Sequence, residues 1–247
     1  MLQHMGFKAI ASTSTGFAWS TGRADYQVGR ADVLRHLKTL CDATDLPVNA
    51  DFESGFATDP AGVAESVTLA IETGVAGLSV EDRDVNAIEQ LYDLRTAVER
   101  VRAARIAIDR TGHDLILVAR TEGLFVEPRS MTAAIDKLVA FAEAGADCLY
   151  APGVREKSDI AAMVRAVAPK PLNVLVMRPG LEFAELADLG VRRVSTGGAL
   201  AKIAWRAMIN AAERIKAGSF DGLDGGTPGP VLDDVFRAFV SDADIHA

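Results

Sequence analysis

Short apolar runs recur along the chain, and each is followed by a longer stretch in which apolar residues return every three or four positions. The runs fall at residues 7–11, 47–50, 77–80, 115–119, 148–150, 172–176 and 193–195. Their length and near-continuous apolar character predict strands buried on both faces. Segments 59–73 (DPAGVAESVTLAIET) and 131–144 (MTAAIDKLVAFAEA) show the clearest helical period. Asp59 before Pro60 supplies a cap and then a proline at the first helical position. Gly74 and Gly145 stop their helices at a residue that tolerates the left-handed conformation.

Strands alternating with helices predict a parallel sheet covered on both sides, an α/β fold of the TIM-type (β/α)8 barrel kind. Seven βα units are visible where a closed barrel has eight. Residues 1–6 read like the tail of a helix leading into the first run, so the first βα unit is expected to be missing from this chain. Residues 1–220 are read as the barrel, with one long helix at 198–217. The Gly/Pro-rich stretch 221–230 (DGLDGGTPGP) is read as a linker, and 231–247 as a C-terminal helix, densest over 231–240. That helix packs either on its own chain or on a neighbouring subunit.

Composition narrows the functional classes. The 247 residues carry a net charge of −8, which excludes the basic face a nucleic-acid partner needs. Anionic small molecules remain admissible, because local arginines or a metal ion can dominate a small site. Cys41 and Cys148 lie in apolar surroundings without zinc-type spacing, and read as packing residues in a reducing compartment. No apolar run approaches the roughly 18 residues of a membrane span, and MLQHMGF lacks the pattern of a signal peptide. The expectation is a cytoplasmic protein with no membrane partner.

Candidate chemistry gathers at the C-terminal ends of the strands, where barrel enzymes place their sites. The first run ends in Ser12-Thr13-Ser14-Thr15-Gly16, the second in Asn49-Ala50-Asp51-Phe52-Glu53, the third in Glu81-Asp82 and the fourth in Arg120-Thr121-Glu122. Asn173 lies inside the sixth, and the seventh ends in Ser195-Thr196-Gly197-Gly198. Asp51, Glu53, Glu81, Asp82 and Glu122 crowded at one mouth would repel one another. A hard cation relieves this, and oxygen-only donors favour Mg²⁺ or Mn²⁺ over zinc. The four histidines form no HxH or HExxH pattern. Glu53 and Asp82 read equally well as helix caps, and Arg120 either as a substrate-charge stabiliser or as an ion-pair partner of Glu81 or Glu122.

Taken together and in order, FKAIASTSTGFAWSTGRAD, VNADFESGF, GLSVEDRD, VARTEG, AGADCLYAPG, PLNVL and GVRRVSTGGALA resemble the isocitrate lyase/phosphoenolpyruvate mutase superfamily over about residues 7–208. The resemblance implies an α/β barrel that assembles as a homodimer or homotetramer, with the last helix exchanged between subunits. It also implies a Mg²⁺-dependent enzyme that makes or breaks a C–C or P–C bond beside an enolpyruvate-like fragment. Thr13, Ser14 and Thr15 match the stretch whose amides hold the substrate carboxylate. Asp25, Asp51 and Glu81 match acidic residues of the metal shell, and Arg120 matches an arginine that contacts substrate. Asn173 is read as a further substrate-binding residue, and Glu122, with Glu53, as a candidate acid or base by position.

Three departures bear on the activity. Asn49 replaces the first acid of a DxD-type metal motif, and Phe52-Glu53-Ser54 follows where a short Thr-Gly pair is usual. The stretch 83–93 lacks the KKCGH-type sequence of isocitrate and methylisocitrate lyases. The first βα unit is absent from the pattern. The expected activity is cleavage of a C–C bond in a small 2-oxo or 2-hydroxy carboxylate. The alternatives are a phosphonomutase or phosphonopyruvate hydrolase, an oxaloacetate decarboxylase, or an inactive carboxylate-binding paralogue.

Overall fold

The computed structural model describes residues 1–238. The strands are β1 (Ile10–Ala11), β2 (Val48–Asp51), β3 (Gly77–Glu81), β4 (Arg83–Asp84), β5 (Ala87–Leu91), β6 (Ile116–Arg120), β7 (Cys148–Tyr150), β8 (Leu172–Leu175) and β9 (Arg193–Ser195). The helices are α1 (Ser14–Ser20), α2 (Arg30–Asp42), α3 (Pro60–Ile71), α4 (Leu94–Thr111), α5 (Met131–Glu143), α6 (Lys157–Val167), α7 (Phe183–Asp188), α8 (Ala199–Lys216) and α9 (Gly229–Arg237). Seven parallel strands form one sheet in the order β1-β2-β3-β6-β7-β8-β9, and every predicted apolar run contributes one of them.

The sheet curls into a nearly closed barrel ringed by helices. β1 and β9 are not paired with each other, yet the rims that follow them touch. A methyl group placed on Gly198 would lie 3.7 Å from Thr15 Cγ2, and one on Gly16 would lie 3.5 Å from Ala201 Cβ. The glycine pair after the last strand thus lets α8 begin against α1. β1 keeps only two of its five predicted residues, since β2 is its single neighbour and Phe7 stays exposed.

Local signals explain most element boundaries. Asp59 caps α3 by accepting from the Gly62 N–H at 2.9 Å, and Ser130 caps α5 by accepting from Ala133 N–H. Every residue of β3 is buried, as a strand between the barrel interior and the surrounding helices requires. Gly77 sits where a Cβ would come within 3.0 Å of both Asn49 Oδ1 and the Ile116 carbonyl; only glycine admits both neighbours there.

Two segments depart from the sequence pattern. Residues 2–6 form turns rather than the end of a helix. The stretch 83–93, which lacks a helical or strand period, is built around the antiparallel hairpin β4–β5. Ser12–Gly16, the polar end of the first run, leads directly into α1, with Thr13 as its cap. The last helix spans Gly229–Arg237, and residues 239–247 of the predicted C-terminal segment lie outside the described residues. No helix among the described residues is long and apolar enough to cross a membrane. Cys41 and Cys148 are free, the second buried and the first half-buried.

Arg100 on α4 is 1% exposed and is the largest fully buried side chain. Its guanidinium donates to the carbonyls of Thr58 (2.7 Å) and Ser54, and stacks 4.2 Å over the Tyr92 ring. α4 thereby pins the segment between β2 and α3 from behind. Arg100→Met removes a charge-assisted donor from two carbonyls, that of buried Ser54 and that of Thr58. Urea unfolding should show a loss of about 2–4 kcal/mol.

Candidate active site

Parallel register brings the site together. Glu81 pairs with Arg120, Arg120 with Tyr150, and Tyr150 with Asn173. Four neighbouring strands therefore present these side chains at one level, at the C-terminal mouth of the barrel. Asp51 ends β2 and joins from the next strand over. Its N–H donates to Ser12 Oγ at 2.9 Å, and its Oδ2 accepts from the N–H and hydroxyl of Ser14 at 3.0 and 3.1 Å. The Ser14 amide is thereby engaged, and of the amides at this turn that of Thr15 stays available to an anion.

Arg120 is the centre of the cluster. Its Nε lies 2.5 Å from Glu122 Oε1 and 3.2 Å from Glu81 Oε2, and its Nη1 lies 3.4 Å from Asp51 Oδ1. The guanidinium stands 5.3 Å over the Tyr150 ring. Burial would lower its pKa, but Glu81, Glu122 and Asp51 together drive it well above the ordinary arginine range. Glu122 is clasped from its other side by Arg83 at 3.2 Å. Asp82 stands apart from this cluster and caps no helix. It accepts from Thr121 Oγ1, from the Glu122 N–H and from Lys137 Nζ (2.6 Å), and so fixes the loop that carries Glu122.

Asp25 accepts from Thr15 Oγ1 at 2.5 Å, while its Oδ1 is buried without a hydrogen-bond partner. Asn173 is fully buried; its Nδ2 donates to Ser195 Oγ at 3.0 Å, and its Oδ1 also lacks a partner. Asn49 lies two residues before Asp51 on the same strand, one layer deeper in the barrel. Its amide nitrogen donates to the Ala50 carbonyl, beside Gly77.

Several residues at the site carry no sequence signal strong enough to select them. Tyr26 donates to Glu81 Oε1 at 2.7 Å and lies 5.5 Å from the Arg83 guanidinium. Burial, then the charges of Glu81 and Glu122, raises the Tyr26 phenol far above its usual range, so it acts as a donor. Tyr150 is likewise held protonated by burial, its pKa pushed up to about 12. Arg83 was legible only as the residue after Glu81-Asp82. The closeness of Asp25 to Tyr26 in sequence says nothing of the latter's reach across the barrel.

Five carboxylates (Asp25, Asp51, Glu53, Glu81, Glu122) thus share the mouth with two guanidiniums. Burial pushes Glu53 up to about 8, with Glu81, Asp51 and Asp25 adding and Arg120 opposing. Burial likewise holds Glu81 above the usual carboxylate range, against the pull of Arg120. The negative excess, the oxygen-only donors and the orphaned Asp25 Oδ1 suit a hard divalent cation. Among the described residues no three His, Cys, Asp or Glu side chains are grouped to grip one ion directly. Arg120 occupies the point where Asp51, Glu81 and Glu122 meet, so the fit is to a cation reached through water.

A carboxyl whose folded pKa is raised binds more protons in the native than in the unfolded state. Its stabilising contribution is complete below its ordinary pKa, near 4.5, and is lost as pH rises through about 8. In divalent-free buffer, the melting temperature should fall on the order of 5 °C between pH 5 and pH 9. Glu53→Gln should flatten that fall, and an equally steep profile in the variant would remove Glu53 as its source.

The comparisons with known proteins agree with this architecture. The family described as phosphoenolpyruvate phosphomutase matches residues 1–216. A solved structure from Burkholderia cenocepacia J2315, described no more narrowly than lyase/mutase, is 40% identical with a TM-score of 0.92, over 96% of this chain and 86% of that one. Oxaloacetate acetylhydrolase, solved with its product oxalate, is 26% identical with a TM-score of 0.84, over 98% of this chain and 85% of that one. The 2-methylisocitrate lyase of Escherichia coli K12 is 33% identical over 167 residues, 63% of this chain and 54% of that enzyme. The chain belongs to the phosphoenolpyruvate phosphomutase family, within the phosphoenolpyruvate mutase/isocitrate lyase superfamily.

Proposed function

We propose that the protein is a Mg²⁺-dependent lyase that cleaves a C–C bond in a small 2-oxo or 2-hydroxy carboxylate through an enolpyruvate-like intermediate. The observation that carries this reading is the single guanidinium of Arg120 set among Asp51, Glu81 and Glu122 at the barrel mouth. A carboxylate excess needs a cation, and an enolate needs fixed positive charge beside the oxygen on which it forms. Asp51, Glu81 and Asp25 would hold Mg²⁺, or Mn²⁺, through water. When bound, that ion supplies Lewis-acid polarisation of the substrate's 2-oxygen.

The chain's own residues do the rest. The Thr15 N–H, with the Thr13 hydroxyl beside it, orients the substrate carboxylate at the start of α1, while Ser14 stays engaged with Asp51. Arg120 offers charge-assisted N–H donors to the oxygen that gains negative charge as the bond breaks. Glu122, held between Arg120 and Arg83, keeps Arg120 aimed and acts as a positioning residue. The unsatisfied Asn173 Oδ1 offers an acceptor to a substrate hydroxyl. Oxaloacetate acetylhydrolase supports a close variant, in which water attacks and oxalate leaves. The same carboxylate-and-enolate arrangement serves both.

Oxalate resembles the enolate of pyruvate, and calorimetry with it tests the reading. Binding should require Mg²⁺, and Asp51→Ala should weaken it at least about tenfold and abolish Mg²⁺-dependent turnover. No oxalate binding in either condition would favour an inactive paralogue instead.

A homo-oligomer belongs to the same proposal. α8 has no buried residue and exposes Leu200, Ile203, Trp205, Met208 and Ile209, more apolar surface than a monomer's helix usually leaves in water. A second copy of this chain, covering or exchanging this helix, accounts for it. Light scattering should give a dimer or tetramer, and Ile203→Asp with Met208→Asp should shift it toward monomer.

A further inference from the structure

Beside the carboxylate cluster lies a separate cleft of about 580 Å³, reached past Tyr26 and Glu53. Its walls are mainly apolar, with Val28, Phe56, Ala57 and Val85 facing the opening. Tyr26 and Glu53 line the cleft at the edge of the cluster, the first bonded to Glu81 and the second ending in a carboxyl group that makes no hydrogen bond or ion pair among the described residues. The non-glycine residues with left-handed backbone among the described residues are Tyr26 (φ 60°), Glu53 (φ 46°) and Phe56 (φ 54°), and all three line this cleft. Side chains held in that region are costly, and such strain gathers where a binding surface is shaped.

Arg30, Glu53 and Asp59 are the lining residues with ionisable side chains besides Tyr26. Asp59 is occupied in capping α3, and the Arg30 guanidinium is turned to Glu65 and to Ser66 Oγ on the same helix, at 3.0 Å each. A carboxylate placed between the apolar walls would lose water without meeting a free cation, since the lining guanidinium of Arg30 is already paired.

Resting on the proposed lyase reading, we infer that this cleft is the subsite for the substrate's distal arm, and that it selects an uncharged, largely apolar arm over one ending in a second carboxylate. The cleft shares Tyr26 and Glu53 with the edge of the cluster, so one small molecule can reach both: the 2-oxo carboxylate end lies at Thr15 and Arg120, and the arm lies along Tyr26 and Glu53. Selectivity here comes less from attraction than from the missing counter-charge, a negative element that rejects the wrong ligand.

The test uses two five-carbon acids that differ only at the far end, 2-oxopentanoate and 2-oxoglutarate, titrated calorimetrically into the Mg²⁺-loaded protein beside oxalate. Oxalate fills the cluster and has no arm. The expected result is oxalate binding, with 2-oxopentanoate held at least about tenfold more tightly than 2-oxoglutarate. Val85→Lys places a cation in the wall and should raise 2-oxoglutarate affinity about tenfold. Equal or tighter binding of 2-oxoglutarate by the wild-type protein would mean that Arg30 turns inward, and would overturn the inference. So would oxalate binding with neither five-carbon acid held. Failure of oxalate itself to bind would instead strike the lyase reading on which the subsite rests.

Discussion

At the mouth of this barrel one buried guanidinium faces three carboxylates, each delivered by a different segment. Arg120 and Glu81 end adjacent parallel strands, Asp51 ends the next, and Glu122 follows on the loop after Arg120. Three such acids at this spacing, largely out of water, would repel one another strongly without a cation between them. With Arg120 in place, they become a fixed acceptor field. The surrounding polar residues hold that field in place: Ser12 and Ser14 hold Asp51, Tyr26 holds Glu81, Arg83 holds Glu122, and Asp82 with Lys137 holds the loop beneath.

Rigidity at the mouth is supplied from outside the barrel. Arg100 clamps the segment after β2 from the helical layer, so the backbone around Glu53 and Phe56 is held on both sides. A segment so held can keep left-handed glutamate and phenylalanine that a free loop would relax. The rim contact of Gly198 with Thr15 does the corresponding work across the seam between β1 and β9, where no strand hydrogen bonds cross. Substrate-facing groups on the first and last strands are thereby kept at a fixed spacing although the sheet is not closed.

Charge balance decides what the mouth can bind. Arg120 and Arg83 offset only part of five carboxylates, and burial pushes Glu53 and Glu81 toward their protonated forms. Such a site takes a divalent cation more readily than a second anion. In the proposed reading an anionic substrate would approach the part of the rim where Arg120 and the start of α1 lie. Away from that part, in the cleft past Tyr26, the polarity favours uncharged matter.

The sequence by itself determined the order and kind of the seven sheet strands, since each is a continuous apolar run between helical patterns. The caps at Asp59 and the loading of polar residues onto strand ends were legible for the same reason: they depend on neighbours within a few residues. Asp51, Glu81, Arg120 and Glu122 could be selected because strand ends of a parallel barrel share one mouth. What only the tertiary structure decided is who touches whom. Separations of 55 positions from Tyr26 to Glu81 and 46 from Ser54 to Arg100 leave no local pattern. The left-handed backbone of Tyr26, Glu53 and Phe56 is equally unreadable, because propensity disfavours it and only packing from both sides imposes it. Local periodicity fixes elements, whereas contacts between distant segments depend on register and curvature, which no short window of sequence contains.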